Sequence, residues 1–71
     1  MKQLDLTLRG DYIALDALLK ATGLVESGGR ARAVIAEGLV LVDNLLETRK
    51  TCKIRAGQKV MFDGHEVSVN A

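Results

Sequence analysis

The sequence predicts an α+β fold in which two adjacent helices pack on about five short, mostly antiparallel strands. Apolar residues alternate with polar ones near the N-terminus and in the last third of the chain, as they do in half-buried strands. Between these regions they recur at helical spacing, and turns containing glycine separate the segments. Because a chain of 71 residues supports one core, we expect a single domain over 1–71.

The N-terminal third predicts the first strand and the first helix. Leucines alternate with polar residues over 4–9, and Gly10 ends this strand. Asp11 offers a side-chain acceptor to the first N–H groups of a helix, which the apolar spacing places at about 12–21. Gly23 then suits the left-handed residue that commonly follows a helix.

The middle of the chain predicts the second helix and a hairpin. Ser27 is the expected cap of the helix, whose apolar positions at 31, 34 and 35 share one face before Gly38 ends it. Leu39–Val42 and Leu45–Leu46 are predicted strands. The Asp-Asn pair between them predicts a tight turn, because both residues tolerate a positive φ.

The last third predicts a basic strand and a second hairpin. Basic residues alternate with Cys52 and Ile54, which we expect to face the core, so the thiol is expected to be inert. Lys59–Phe62 and Glu66–Val69 are predicted strands joined at Asp63-Gly64, a strong two-residue hairpin signal.

Composition argues against several functional classes. With a single cysteine no disulfide can form within the chain, and a reducing, cytoplasmic location is expected. The one histidine, His65, is expected to be solvated and leaves the chain without the ligands of a metal site. The glycines at 28–29 lack the rest of a phosphate-loop fingerprint, and no apolar run approaches the roughly 20 residues of a membrane span. We therefore expect no enzyme activity, no cofactor, no small-molecule substrate and no membrane partner.

The net charge of +1 conceals an uneven distribution. Residues 1–47 contain five Lys or Arg and seven Asp or Glu, a net charge of −2. Residues 48–62 contain five basic residues and no acid, a net charge of +5, and 63–71 contain two acids. This segregation favours a polyanionic partner. The only aromatic residues are Tyr12 and Phe62, which argues against functions that need stacking platforms, such as sequence-tolerant binding of single strands on aromatic side chains.

The start of the second helix, Ser27–Arg32, is the first candidate anion site. Its two glycines leave backbone N–H groups open to close approach, and a helix N-terminus favours anions. Arg30 and Arg32 are expected on opposite shoulders of the apolar face, with Glu37 close enough to neutralise part of the Arg30 charge. A flexible helix start with solvated arginines is the alternative interpretation.

The segment 47–55 is the second candidate anion site. If it is extended, every second side chain turns away from the core and forms a track suited to phosphates. The side chains on that outward face would be Arg49, Thr51, Lys53 and Arg55. The alternative is an edge strand whose charges protect it from aggregation.

The order of motifs carries a family resemblance. Leu-Asp-x-Leu-Leu-Lys at 15–20 is followed by Thr-Gly-Leu, by Ser27, by Ala-Arg-x-x-Ile at 31–35 and by Gly-x-Val-x-Val at 38–42. This series resembles the RNA-binding domain named after the fourth protein of the small ribosomal subunit, the S4 domain or alpha-L motif. With the segments Glu26–Gly29, 47–53 and 56–58, the chain looks closer still to the short, stand-alone YbcJ-type bacterial proteins.

The resemblance implies binding to structured RNA, often ribosomal, through both helices and the following hairpin. Two positions depart from the family pattern: Gly28 stands where many relatives have arginine, and the turn is Asp-Asn where many have Asn-Gly. The contacts that the resemblance implies are Lys20, Ser27, Gly29, Arg30, Arg32, Arg49, Lys50 and Lys53. Arg55 joins them from the predicted strand face.

Together these patterns predict a monomeric, cytoplasmic, non-catalytic protein that recognises the shape and phosphates of structured RNA. Ribosomal RNA or a ribosomal particle is a candidate target. Side chains cannot easily enter the deep, narrow groove of duplex RNA, which favours shape over sequence. The alternative is a protein-interaction module whose basic strand docks an acidic partner while its helices supply hydrophobic contact.

Overall fold

Two helices and seven strands form the fold in the computed structural model, which describes residues 2–71. The helices are α1 (Leu15–Ala21) and α2 (Gly28–Ala36). The strands are β1 (Lys2–Thr7), β2 (Ile13–Ala14), β3 (Leu41–Val42), β4 (Leu45–Leu46), β5 (Lys53–Ile54), β6 (Lys59–Phe62) and β7 (His65–Asn70). The predicted α+β class is confirmed.

The strands form a five-stranded sheet, in the order β1-β7-β6-β3-β4, and a separate ribbon of β2 and β5. β1 runs parallel to β7, and all other neighbours in residues 2–71 are antiparallel. The sequence did not predict β2. In the ribbon, Ile13 pairs with Ile54 and Ala14 pairs with Lys53. This pairing places the start of α1 beside residues 49–55, here called the basic segment.

Side chains from both helices, the sheet and the ribbon form the hydrophobic core. The predicted apolar face of α2, Ala31, Val34 and Ile35, is fully buried. The other buried members are Leu15, Leu18, Leu19, Val25, Val40, Val42, Ile54, Val60, Val67 and Val69. Since Ile54 belongs to β5, the ribbon is attached to the core by a side chain as well as by its backbone.

Two-residue turns join the hairpins where the sequence predicts them. Asp43 and Asn44 have φ of 51° and 67°, and Asp63 and Gly64 have φ of 49° and 75°. Positive φ at both central residues is typical of type I′ turns, whose twist matches that of the strands. The Asp43 carboxylate also accepts the Lys59 backbone N–H at 2.9 Å, which ties the first hairpin to β6.

Each helix ends at a glycine with positive φ. Gly23 follows α1 with φ 76°, and Gly38 follows α2 with φ 77°. After α1, the Gly23 N–H donates to the Lys20 carbonyl and the Leu24 N–H donates to the Leu19 carbonyl, both at 3.1 Å. This Schellman arrangement pairs carbonyls that the helix would otherwise leave free. The predicted role of Gly23 is confirmed.

The start of α1 corrects the prediction. The helix begins at Leu15 rather than near residue 12, and Asp11 does not cap it. Its N-cap is Ala14, which offers no side-chain acceptor. The cause is tertiary, because the pair of Ile13 with Ile54 holds the backbone extended up to the first helical residue.

The first hairpin is shorter than predicted. β3 contains only Leu41–Val42, because Leu39 completes the end of α2, while Val40 still pairs across the hairpin through its carbonyl alone. The Leu39 N–H donates to the Val34 carbonyl at 3.1 Å at the end of α2, and the Val40 carbonyl accepts the Glu47 N–H at 3.1 Å.

Gly23→Ala should destabilise the protein by about 1 kcal/mol, because an L-residue is strained at positive φ. A Cβ at Gly23 would meet no atom within 4 Å, so the loss reports backbone strain alone. Gly10→Ala is the matched control, since Gly10 has equal space and no positive φ. Urea unfolding of both variants measures the difference, and an equal loss of stability in the two would contradict the assignment.

Candidate nucleic-acid interface

The basic segment is attached to the first turn of α1 by backbone hydrogen bonds. The Leu15 N–H donates to the Cys52 carbonyl at 2.9 Å, and the Asp16 N–H donates to the Lys50 carbonyl at 3.1 Å. A helix leaves its first four N–H groups without intrahelical partners, and Ala14 cannot cap them. Carbonyls of the basic segment therefore act as the cap of α1.

The sequence predicts one extended strand that includes residues 49–55, but the structure does not contain it. The Cys52 N–H donates to the Arg49 carbonyl at 3.2 Å and closes a turn, so that only Lys53–Ile54 is a strand. The predicted row of side chains on one strand face is therefore wrong for Arg49 and Thr51, whereas Lys53 and Arg55 lie together over the ring of Tyr12. In an extended strand, carbonyls two residues apart would be separated by about 6.6 Å, which is too far to reach adjacent N–H groups of a helix.

Arg49 is paired with Glu47, an acid just outside the acid-free stretch. The Arg49 Nε and Nη2 donate to the Glu47 carboxylate at 3.0 and 3.1 Å, and the Arg49 backbone N–H donates at 3.0 Å. These hydrogen bonds lower the pKa of Glu47 to about 2. The Glu47 side chain is 15% exposed and the Arg49 side chain 75%, so the guanidinium is anchored yet accessible.

Lys53 and Arg55 lie over the ring of Tyr12. The Lys53 Nζ is 5.0 Å and the Arg55 Cζ 5.7 Å from the ring centroid, within the range of cation–π attraction. The ribbon creates this cluster. Because Ile13 pairs with Ile54 in an antiparallel ribbon, Tyr12 lies opposite Arg55, and Lys53 is the other chain neighbour of Ile54. Neither cation forms an ion pair with an acid in the described part of the chain.

Arg32 connects the start of α2 with α1. Its Nη1 is 3.9 Å from Asp16 Oδ2 and 3.3 Å from the position that a Cβ on Gly28 would occupy. The missing side chain of Gly28 thus leaves room for the guanidinium. Although residue 28 departs from the arginine of many relatives, the start of α2 still carries a guanidinium close by.

The remaining predicted residues of α2 divide between two sides of the helix. Ser27 is the cap, as predicted, and its Oγ accepts the Arg30 N–H at 3.1 Å. Gly29 is exposed, and the first turn contains no acid. The Arg30 side chain lines a cleft with Asp63, away from Arg32, which confirms the predicted opposite shoulders. Its predicted neutralisation by Glu37 is wrong, since no ion pair joins them.

Lys20 extends the interface along α1. It is exposed in the last turn of the helix, four residues after Asp16 and therefore on the same helix face. Because Asp16 also contacts Arg32, this face continues toward the start of α2. The structure thus groups a set of exposed cations around α1, here called the basic surface. Its members are Lys20, Arg32, Arg49, Lys50, Lys53 and Arg55.

The surroundings of Cys52 and His65 do not indicate a nucleophile or a metal ligand. Cys52 packs against the core, half-buried, and burial raises the pKa of its thiol. His65 is half-buried rather than solvated, with Nδ1 2.9 Å from the Asp63 carbonyl oxygen. Within residues 2–71, no three His, Cys, Asp or Glu side chains are grouped to hold a metal ion. No helix in the same range has the length and apolarity to cross a membrane.

Sequence reasoning missed three residues of this interface: Tyr12, Asp16 and Glu47. Tyr12 and Ile13 have the aromatic and β-branched side chains typical of strands, a signal that could have indicated the ribbon. Glu47 stands close enough in the chain to Arg49 to suggest their pairing. The contact of Asp16 with Arg32 has no local signal, because it depends on how the two helices pack.

The fold and the basic surface together define a class of protein. A small α+β domain with exposed lysines and arginines on α1, at the start of α2 and on residues 49–55 carries the residue types that nucleic-acid-binding modules use. Arg32, near the start of the nine-residue helix α2, belongs to the same surface.

Comparisons with known proteins agree with this class. A model of the S4 domain matches residues 6–70. The proteins YbcJ of Escherichia coli (strain K12) and YbcJ of Shigella flexneri are each 55% identical over 60 residues, covering 84% of this chain and 86% of theirs. The solution structure of YbcJ from E. coli, described as revealing an alpha-L motif involved in RNA binding, is similar with a TM-score of 0.71. It is 49% identical and covers 100% of this chain and 89% of that one. The chain belongs to the S4 domain family, as the motifs predict.

Glu47→Gln should destabilise the protein in a pH-dependent manner. Because the folded state lowers the Glu47 pKa from 4.5 to about 2, the carboxylate contributes its stability fully above about pH 5. That contribution is lost as the pH falls toward 2. Urea unfolding across this range should show a stability difference between wild type and variant that shrinks with acidity.

Arg49→Ala removes the other half of the same pair and serves as the control for this measurement. Its stability difference from wild type should have a pH dependence of the same sign but smaller size, because the Arg49 side chain is the first cause of the Glu47 pKa shift while the backbone N–H of residue 49 still donates. A difference that stays constant from neutral to acidic pH in either variant would rule out the pair as its source.

Proposed function

We propose that the protein is a non-catalytic RNA-binding protein that recognises structured RNA through the basic surface, acting as a cytoplasmic monomer. One observation carries the proposal. Lys50, Lys53 and Arg55 are exposed without an acidic partner in residues 2–71, on a segment whose backbone is bonded to α1. A surface of this kind attracts a polyanion. The alpha-L motif described in YbcJ as involved in RNA binding favours RNA as that polyanion.

The chemistry of these side chains favours phosphate contacts over base readout. Lysine ammonium groups on flexible stems meet phosphate oxygens at many angles and carry no sequence information. Duplex RNA offers its phosphates at the groove edges and hides its bases in a deep, narrow major groove. Structured RNA is therefore the target class, and ribosomal RNA or a ribosomal particle is the specific candidate.

The start of α2 supplies a second point of phosphate contact. The N–H groups of Gly28 and Gly29 have no intrahelical acceptor, and the first turn contains no acid. Arg32 lies beside them. Ser27 uses its Oγ to accept the Arg30 N–H, so its part is to shape the helix start.

Three of the predicted contacts have smaller parts in this proposal. Arg49 shares its charge with Glu47, which reduces its attraction for a phosphate. Lys20 lies a full turn of α1 beyond Asp16 and reaches RNA at the edge of the surface. Arg30 lines a cleft together with Asp63, so it meets only an RNA that also wraps around α2.

Lys50→Ala and Lys53→Ala should each weaken binding to a synthetic RNA hairpin. Each loss of a phosphate contact should reduce the slope of log affinity against log salt concentration by about 1. Arg49→Ala should reduce the slope less, because Glu47 already compensates part of the guanidinium charge. Fluorescence anisotropy titrations at several salt concentrations measure these slopes.

Lys2→Ala is the matched control for these titrations. Lys2 is exposed at the first residue of β1, and the chain enters the ribbon only after the other end of that strand. Its replacement by alanine removes the same unit charge. Its slope should equal that of wild type. Equal losses at Lys2 and at the basic surface, or no loss at Lys50 and Lys53, would contradict the proposal. In lysate, an association that survives complete ribonuclease digestion would favour an acidic protein partner instead.

Gly29→Glu should weaken RNA binding, since it places an anion where a phosphate would approach the start of α2. Gly29→Ala separates this charge effect from a steric one. A Cβ at Gly29 would lie 3.9 Å from Ser27 Oγ, an ordinary contact, so the alanine variant should fold and bind nearly as wild type does. Anisotropy titration of the three proteins is the test, and equal affinities would remove the start of α2 from the interface.

A further inference from the structure

A cleft on one side of Tyr12 lies outside the phosphate contacts described above. It lies between the end of β1, the start of β2 and the end of α1, and encloses about 410 Å³. Its apolar lining comes from Leu6, Leu8, Ile13 and Ala21, and its polar lining includes Arg9. Ligand pockets commonly measure about 300–1,000 Å³ and combine an apolar lining with a few polar groups. The cleft has the size and lining of a site for a small, flat, mostly apolar group.

Tyr12 belongs both to this cleft and to the basic surface. Its ring is 47% exposed and lies under the cations of Lys53 and Arg55. The same ring lines the cleft beside Arg9. None of these three cations forms an ion pair within residues 2–71. An aromatic ring and an apolar cleft surrounded by free cations match a nucleotide, in which a flat base adjoins an anionic phosphate.

We propose that this cleft binds one unpaired base of the RNA, packed against Tyr12, while the adjoining phosphates contact Lys53, Arg55 and Arg9. The inference rests on the proposed function and specifies its substrate class. A base within a duplex is stacked on both sides, so only an unpaired base, as in a bulge or a loop, can enter. The preferred target is therefore a paired stem interrupted by an unpaired nucleotide.

The number of aromatic residues limits the site to one base. Tyr12 is the single tyrosine of a chain that has no tryptophan. The one phenylalanine, Phe62, lines a different cleft, with Arg30 and Asp63. A row of stacking platforms is therefore absent from the described residues, and the basic surface supplies the rest of the affinity through phosphates.

The test compares two synthetic RNA hairpins of equal length, one fully paired and one with a single unpaired purine in its stem. Wild type should bind the interrupted hairpin more tightly, by about 5-fold or more, which is the effect of one base–aromatic stack. Tyr12→Leu keeps an apolar side chain but no ring and should bind both hairpins equally. Tyr12→Phe keeps the ring and should retain the preference.

Two fluorescence signals report the contact directly. With 2-aminopurine as the unpaired purine, stacking on the ring should quench its emission in wild type and in Tyr12→Phe but not in Tyr12→Leu. Tyrosine emission from wild type comes from Tyr12 alone, because the chain has no other tyrosine and no tryptophan. It should change more with the interrupted hairpin than with the paired one. This readout needs no variant, so it remains decisive if a substitution impairs folding.

The outcomes separate this inference from the proposed function. Equal binding of both hairpins by wild type, with the salt slope still reduced in Lys53→Ala, overturns the unpaired-base site and leaves RNA binding intact. A preference that persists in Tyr12→Leu also overturns the site. If wild type binds neither hairpin, the proposed function and this inference fail together.

Discussion

The interface depends on how the first turn of α1 obtains its hydrogen-bond partners. A helix start needs acceptors for its free N–H groups, and an unpaired buried N–H costs about 1–3 kcal/mol. Because Ala14 offers none, the carbonyls of Cys52 and Lys50 supply them from far along the chain. The basic segment therefore cannot leave α1 without exposing or orphaning those N–H groups, and its position becomes part of the fold.

This arrangement separates the groups that hold the segment from the charged side chains that it exposes. Backbone carbonyls make the bonds to α1, and the buried side chain of Ile54 anchors β5 in the core. The side chains of Lys50 and Lys53 take no part in either and stay exposed. Replacing the charge of Lys50 or Lys53 should therefore have little effect on stability. Ile54→Ala, in contrast, would create a cavity in the core and cost about 2–5 kcal/mol.

The predictions that succeeded rest on local signals. Ser27 and Gly23 act at the helix ends as their residue types require, and the two turns occur where small or short polar residues tolerate positive φ. The apolar spacing of α2 likewise predicted its buried face, because that pattern follows directly from helical geometry.

The predictions that failed concern contacts between distant segments. Helical spacing alone would begin α1 near residue 12, but pairing of Ile13 with Ile54 outweighs that local preference. The row of charges over 49–55 failed for a related reason, since the bonds from α1 require a turn there. A single sequence does not encode either partner locally. Composition does identify which residues carry charge, but it does not give their relative placement.

The acids near the basic surface give its cations different functions. Asp16 and Glu47 hold the guanidinium groups of Arg32 and Arg49 in place and cancel part of their charge. If every cation of the surface were paired with an acid, the surface would attract a phosphate weakly. If none were paired, the cations would repel one another. Here the paired arginines give the surface its shape, while the unpaired cations beside Tyr12 keep their full attraction. The proposed site for an unpaired base thus has cations beside it that form no ion pair with an acid in residues 2–71.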